Sequence, residues 1–412
     1  MTADPPPVAP RTAALLVAFM WVAYFLNYCD RQAVFAMFPA LRADLAMDDA
    51  QLGLVGAVFL WVYAVGCPVA GALGDRMSKR TLVVASLVVW SIVTWLTGLV
   101  RSGGEMLWAR GAMGLSESLF MPTAIALTAS AHPARQRSRA VAVLTTGQIA
   151  GTVAGSVFGG WMADLGLWRR AFFLLGAVGV AYALPYVLFL RGVREEEAPS
   201  AAVRRPLTAL VPVPSFLVLC IVFPCFVFGL WLIYGWLPAF LHDKFALDQK
   251  TAAFEATAFL QSLTAVGLVG GGVLSDRLYR RTPAARQLVL VASLVACAPC
   301  LHFLGSSTTL PGTRLAAAAF GLCSGLFMGN IFPAAFEVVP ASLRASAVGV
   351  LNLCGGLVSG FATLFGGLWK ASLGIDRLLG WTAAGFLAAA VLLVVATRAV
   401  FPADHARVAA DG

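Results

Sequence analysis

Charge is scarce in this chain. Only 12% of its 412 residues are Asp, Glu, Lys or Arg, where a soluble domain carries roughly 25%. So few charges cannot cover a water-facing surface, which excludes a soluble globular protein, and no stretch reads as a separate soluble domain. Histidine is rarer still: four residues, scattered, suggest no metal site. No GxxxxGK[ST] loop, HExxH pair or Gly-x-Ser-x-Gly elbow occurs, so neither nucleotide hydrolysis nor hydrolase chemistry is expected. The chain reads as a non-enzyme with no cofactor. The opening MTADPPPVAP lacks the basic start and small-residue cleavage site of a signal peptide, so the first apolar run is expected to stay as a membrane span. The eight cysteines all sit in apolar runs. Cys297-Ala-Pro-Cys300 has the spacing of a redox pair, but without a βαβ context or a cationic neighbour it reads as small apolar filler.

What is abundant is apolar: 60% of the residues, with a mean hydropathy of +0.84. Windows of about 20 apolar residues can cross a bilayer. Twelve are predicted, near 13–38, 51–73, 81–100, 105–131, 140–162, 170–190, 214–240, 252–274, 287–305, 315–338, 346–369 and 378–398. The net charge of +9 is distributed as a topology signal, not as a nucleic-acid surface. With the N-terminus placed inside, 18 Lys and Arg fall on inner segments and 9 on outer loops. This bias places both termini in the cytoplasm, and a bacterial inner membrane is the expected location.

Residues 71–80, GALGDRMSKR, recur as 272–281, GVLSDRLYRR. Gly71, Leu73, Asp75, Arg76 and Arg80 fall opposite Gly272, Leu274, Asp276, Arg277 and Arg281. A second echo sets Pro133-Ala134, Arg137, Ala140 and Val141 against Pro340-Ala341, Arg344, Ala347 and Val348. The longest connection, RGVREEEAPSAAVRRP at 191–206, separates spans six and seven. The predicted organisation is an all-α integral membrane protein of twelve transmembrane helices in two six-helix halves: 1–190, a linker over 191–213, and 214–412. Duplicated halves in a membrane point to a secondary transporter. Span five carries glycines at 147, 151, 155 and 159. That period clears one helix face for close packing and is also compatible with sliding.

Charges inside spans need a reason, since each costs roughly 2.5–3.5 kcal/mol or more at mid-bilayer. Four stand out: Asp30 and Arg31 in span one, Arg110 and Glu117 in span four. Counting 1.5 Å per residue, Asp30 and Arg31 lie roughly 12 Å below the outer end and Arg110 roughly 8 Å. Glu117 is two turns further down the same helix face as Arg110. Internal salt bridges for packing are one explanation, though buried pairs are weak stabilisers. The other is an anion site made by Arg31 and Arg110, coupled to carboxylates whose proton affinity depends on whether the arginines hold substrate. Asn27, Tyr28, Gln148, Tyr234, Gln261, Asn330 and Asn352 are polar residues on spans that could line the same cavity. Aligning Pro122 with Pro333 sets Gly321 and Met328 opposite Arg110 and Glu117, so the proposed chemistry is confined to the first half.

The repeated GALGDRMSKR loop resembles the loop between spans two and three of the major facilitator superfamily, with Ser78 where that family usually has Gly. Arg110 with Gly114 resembles its basic motif in span four. GSVFGG at 155–160 lacks the Pro of its antiporter motif. Within the superfamily, NYCDR at 27–31, Arg110 and Glu117, DDAQLGL at 48–54, WLPAFL at 236–241 and Gly349…Asn352…Gly356 resemble the anion:cation symporter family. The Asp-Arg pair and the DAQLGL segment also resemble the Spinster-like family, which includes lipid exporters. The first resemblance implies proton-coupled symport of a small organic anion, such as a sugar acid. Asp30 and Glu117 would take protons and Arg31 and Arg110 the substrate carboxylate. Tyr28, Asn27, Gln148, Tyr234 and Asn352 would contact its polar groups. Asp75, Arg76, Arg80, Asp276 and Arg277 would act as a conformational latch. The expected partners are the anion, protons and the lipid bilayer, with no nucleic acid, and a monomer is expected. The alternatives are an exporter of a lipid or amphipathic compound, and a membrane receptor, for which the short tails leave no signalling domain.

Overall fold

A computed structural model describes residues 9–74, 77–132, 134–191, 210–340 and 343–410. They are helical almost throughout. In chain order the helices are α1 (Pro10–Ala36), α2 (Phe38–Leu45), α3 (Asp49–Gly74), α4 (Lys79–Thr97), α5 (Gly103–Ser118), α6 (Phe120–Ser130), α7 (Ala134–Asp164), α8 (Trp168–Arg191), α9 (Pro214–Phe245), α10 (Gln249–Tyr279), α11 (Ala285–Ser306), α12 (Leu310–Phe336), α13 (Arg344–Leu373), α14 (Ile375–Ala399) and α15 (Phe401–Ala410). Eleven of them are long and apolar enough to cross a membrane: α1, α3, α4, α7, α8 and α9 to α14.

The predicted span over 105–131 is divided into α5 and α6 at Leu119. Pro122 explains the break. It has no amide hydrogen for the Ser118 carbonyl, and its ring crowds that carbonyl. Pro39 acts alike on the first span, which stops at Ala36 and resumes as α2 after Met37. The start of α5 is set by Ser102, whose hydroxyl accepts from the Glu105 amide at 3.2 Å while Glu105 accepts from the Arg101 amide at 2.7 Å. This closely resembles a capping box. Asp248 caps α10, accepting from both the amide and the hydroxyl of Thr251.

The chain packs as two compact units. The first contains the described residues up to Arg191 together with Ala246–Phe254. Within it α1 lies along α7, α4 along α8 and α3 along α5. The α1–α7 seam is built by the four glycines of α7. A Cβ at Gly147 or Gly159 would lie 2.9 or 2.5 Å from the carbonyl oxygen of Trp21 or Ala33, and Gly151 and Gly155 face Phe25 and Cys29 as closely. Side chains would not fit, so the period seen in sequence is tight packing. Residues 246–254 are tied to α7 by Asp164, whose two carboxylate oxygens accept from the Gln249 and Lys250 amides at 2.8 Å each.

In the second unit α9 lies along α13, and α11 along α12 and α14. Trp236 of α9 donates to the Thr363 carbonyl at 2.8 Å. Phe226 stacks on Phe327 at 4.0 Å and on Phe386 at 5.7 Å. Gly321 and Gly325 of α12 meet the carbonyls of Leu260 and Thr264, so no side chain fits at the position set opposite Arg110. The exteriors are apolar: Val69 is 56% exposed, Leu184 66% and Val391 64%. Faces of this kind suit lipid and not water.

Candidate functional site

Arg31 lies one turn above Asn27 and Tyr28 on α1, so all three share a helix face. Its Nη1 donates to the Tyr28 hydroxyl at 3.3 Å and its Nη2 to Asn27 Oδ1 at 3.5 Å. Nε and Nη2 both donate to Oε2 of Glu117 on α5, at 3.2 and 2.7 Å. The guanidinium is also enclosed by three rings, with Tyr28, Phe59 and Tyr63 centred 4.5, 4.7 and 4.8 Å away. Arg31 and Glu117 form an ion pair that is almost completely shielded from solvent. In such surroundings its attraction is little screened, and removal of either partner strands a charge.

Arg110 is equally buried but paired differently. Its Nε donates to the Val55 carbonyl at 3.3 Å and its Nη1 lies 3.0 Å from the Met113 sulfur. Its guanidinium rests over Phe59 at 4.6 Å. Nη2 has no hydrogen-bonding partner among the described residues, and neither does Oε1 of Glu117. Asp30 turns away from the pair and accepts from the Thr94 hydroxyl of α4 at 3.2 Å. Two cations and two carboxylates therefore share one buried region of α1, α4 and α5, yet only one ion pair forms among them. A buried guanidinium edge without an acceptor is costly to leave unmade, and an anion would satisfy it.

The remaining predicted residues are spread more widely. Gln148 of α7 accepts from the Tyr24 hydroxyl at 2.8 Å, and Tyr24 meets Tyr28 edge-on at 5.1 Å. Gln148 thus joins the cluster through one intervening ring. Tyr234 and Asn352 belong to the second unit. There Tyr234 packs edge-on against Trp231 at 5.7 Å, and Asn352 is exposed. Asn330 of that unit is buried and donates to the Leu326 carbonyl at 2.9 Å, while Gln261 is buried on α10. Of the latch residues, Asp75 and Arg76 lie outside the described residues. Arg80 donates to the Leu190 carbonyl at 3.4 Å. Asp276 accepts from Arg286 at 3.2 Å, Arg286 also pairs with Glu337, and Arg277 is exposed. Glu255, near a helix end, accepts both arms of the Arg314 guanidinium at 2.6 and 2.9 Å.

Phe59, Tyr63 and Thr94 escaped the sequence reading. An aromatic or a threonine in an apolar run carries no signal of its own. Only the charges it touches reveal its place.

Long helices with apolar exteriors, and four charges buried together in the first unit, mark a multi-pass membrane protein of the transporter class. The chain belongs to the Major Facilitator Superfamily, whose family model matches residues 20–363. It is 27% identical over 316 residues to a probable sulfoacetate transporter of Cupriavidus necator, covering 72% of this chain and 73% of that protein. It is 26% identical over 351 residues to the hexuronate transporter of Bacillus subtilis, covering 81% and 82%. Human spinster homolog 1 is 30% identical over 325 residues, covering 71% of this chain and 60% of the human protein. The fold resembles that of a bacterial homolog of the human lysosomal transporter Spinster, solved inward-facing and occupied, with a TM-score of 0.82, 21% identity and coverage of 96% and 99%.

Proposed function

We propose that the protein is a proton-coupled symporter of a small organic anion, working by alternating access. The observation that carries this reading is the pairing inside the cluster. Arg31 is neutralised by Glu117, while Arg110 has a buried, unpartnered Nη2. An anion of carboxylate or sulfonate type would supply the acceptor that Nη2 lacks. Protonation of Glu117 would release Arg31 to the same anion, so proton and substrate would enter together. Asp30, held by Thr94, is the second proton site. Asn27, Tyr28 and Gln148 orient the substrate within the first unit. Two relatives are named for transport of organic anions, sulfoacetate and hexuronate, which supports the substrate class.

The transport cycle in this proposal uses twelve spans, with α5 and α6 together forming the fourth. They make two six-helix halves, 1–190 and 214–412, joined by 191–213. The repeated pairing of α1 with α7 and of α9 with α13 supports this division. Asp75, Arg76, Arg80, Asp276 and Arg277 latch one state. The protein functions as a monomer in a bacterial inner membrane with both termini cytoplasmic.

The test is uptake of radiolabelled sugar acids, aromatic acids and sulfoacetate into proteoliposomes, with and without an inward proton gradient. Gradient-stimulated accumulation of at least one anion is expected. If no anion responds to the gradient, the symport reading fails. The similarity to spinster homolog 1 favours a second reading, export of a lipid or amphipathic compound. That reading predicts extrusion of such a compound from loaded vesicles with no anion uptake.

A further inference from the structure

Phe59 occupies an unusual place. It is fully buried on α3, and both buried guanidinium groups rest on its one ring, Arg31 at 4.7 Å and Arg110 at 4.6 Å from the centroid. Two cations repel each other, and the electron-rich ring face attracts both. Arg110 stands two turns from Glu117 on the same buried face of α5, yet makes no hydrogen bond to it. Its donors go to the Val55 carbonyl and the Met113 sulfur, both weaker acceptors than a carboxylate. Gly114, between Arg110 and Glu117 on that helix, gives the reason the ring can be there. A Cβ at position 114 would lie 2.5 Å from the Phe59 carbonyl oxygen and 3.2 Å from the Tyr63 amide nitrogen. Glycine lets the α3 backbone press against α5 at this point and delivers the ring between the two charges.

We propose that Phe59 is a positioning residue: its ring, carried by main chain packed on Gly114, holds Arg110 apart from Glu117 and so keeps a cation available for the substrate anion. Without the ring, Arg110 swings to the free oxygen of Glu117 and the site neutralises itself. The inference rests on the anion-symport reading above. It concerns affinity for the anion and not the rate of the conformational cycle.

The experiment compares wild type, Phe59→Leu, Phe59→Trp and Gly114→Ala in the same proteoliposome assay, using glucuronate and sulfoacetate as probes. Binding is measured separately on detergent-purified protein through the ligand-induced rise in melting temperature. Leu fills most of the volume but has no ring face, so KM is expected to rise about tenfold or more with maximal rate changed less than about threefold. Trp retains a ring face and keeps KM within about threefold of wild type. Gly114→Ala displaces the ring and follows the Leu variant. The unliganded melting temperature of each variant identifies one that is misfolded, and in that case the Leu and Trp pair decides. A Leu variant with wild-type KM and wild-type thermal shift overturns the inference while leaving symport intact. So does a Trp variant as impaired as Leu. If wild type shows neither uptake nor thermal shift with any anion probe, the symport reading itself falls and this inference falls with it.

Discussion

At the scale of single residues, the cluster divides its work between atoms that are satisfied and atoms that are not. Arg31 donates to Glu117, Tyr28 and Asn27, whereas Glu117 keeps one oxygen and Arg110 one nitrogen unmatched. Glu117→Gln removes the proton site but keeps the side-chain shape. It is expected to abolish gradient-driven accumulation by at least about tenfold while retaining anion exchange across proteoliposomes, and full accumulation by the variant would remove Glu117 from that role. A second prediction concerns a surface carboxylate. The Arg169 guanidinium, with the Trp168 indole, holds Asp44 below the usual carboxylate range. A group whose folded-state pKa is depressed adds stability above its unfolded value, about pH 3.9, and loses it as pH falls through the folded value. The melting temperature of wild type should therefore exceed that of Asp44→Asn by a constant margin from pH 5 to 8. The margin should shrink as pH falls below about 3.9 and be gone once pH is below the folded value. A margin that grows on acidification contradicts the assignment.

At the scale of helices, apolar length and charge placement were enough to locate almost every span. They were not enough to show where a span is interrupted. The windows at 13–38 and 105–131 ran through Met37 and Leu119 because hydropathy does not register a missing amide hydrogen, although Pro39 and Pro122 were there to be read. The four intramembrane charges were legible because each is costly. Thr94 and Phe59 were not, since nothing about either is costly in an apolar helix. The glycine period of α7 was legible as a smooth face, and only the structure shows that α1 is the helix packed on it. Gly155→Leu tests that seam. The side chain would meet the Cys29 backbone, so a loss of about 1–3 kcal/mol or more is expected. It would be read as a lowered melting temperature or poor recovery of monodisperse protein. A variant as stable as wild type would show that α1 and α7 can separate without loss.

At the scale of the whole molecule, the Lys and Arg imbalance predicts which side of the membrane each loop faces. Green fluorescent protein fused after Gly412 should fluoresce and alkaline phosphatase there should be inactive, with the opposite result for fusions within residues 307–309. The reverse pattern would turn the topology over. The interruption after Glu117 has a mechanical consequence for such a protein. An unbroken helix resists bending because its amide-to-carbonyl bonds must stretch, but the Ser118 carbonyl has no amide at Pro122 to stretch against. The rod carrying Arg110 and Glu117 is thus compliant just below the carboxylate and stiff everywhere along Gly103–Ser118. In the proposed cycle, protonation of Glu117 acts beside this elbow, where a small displacement grows along the longer arm.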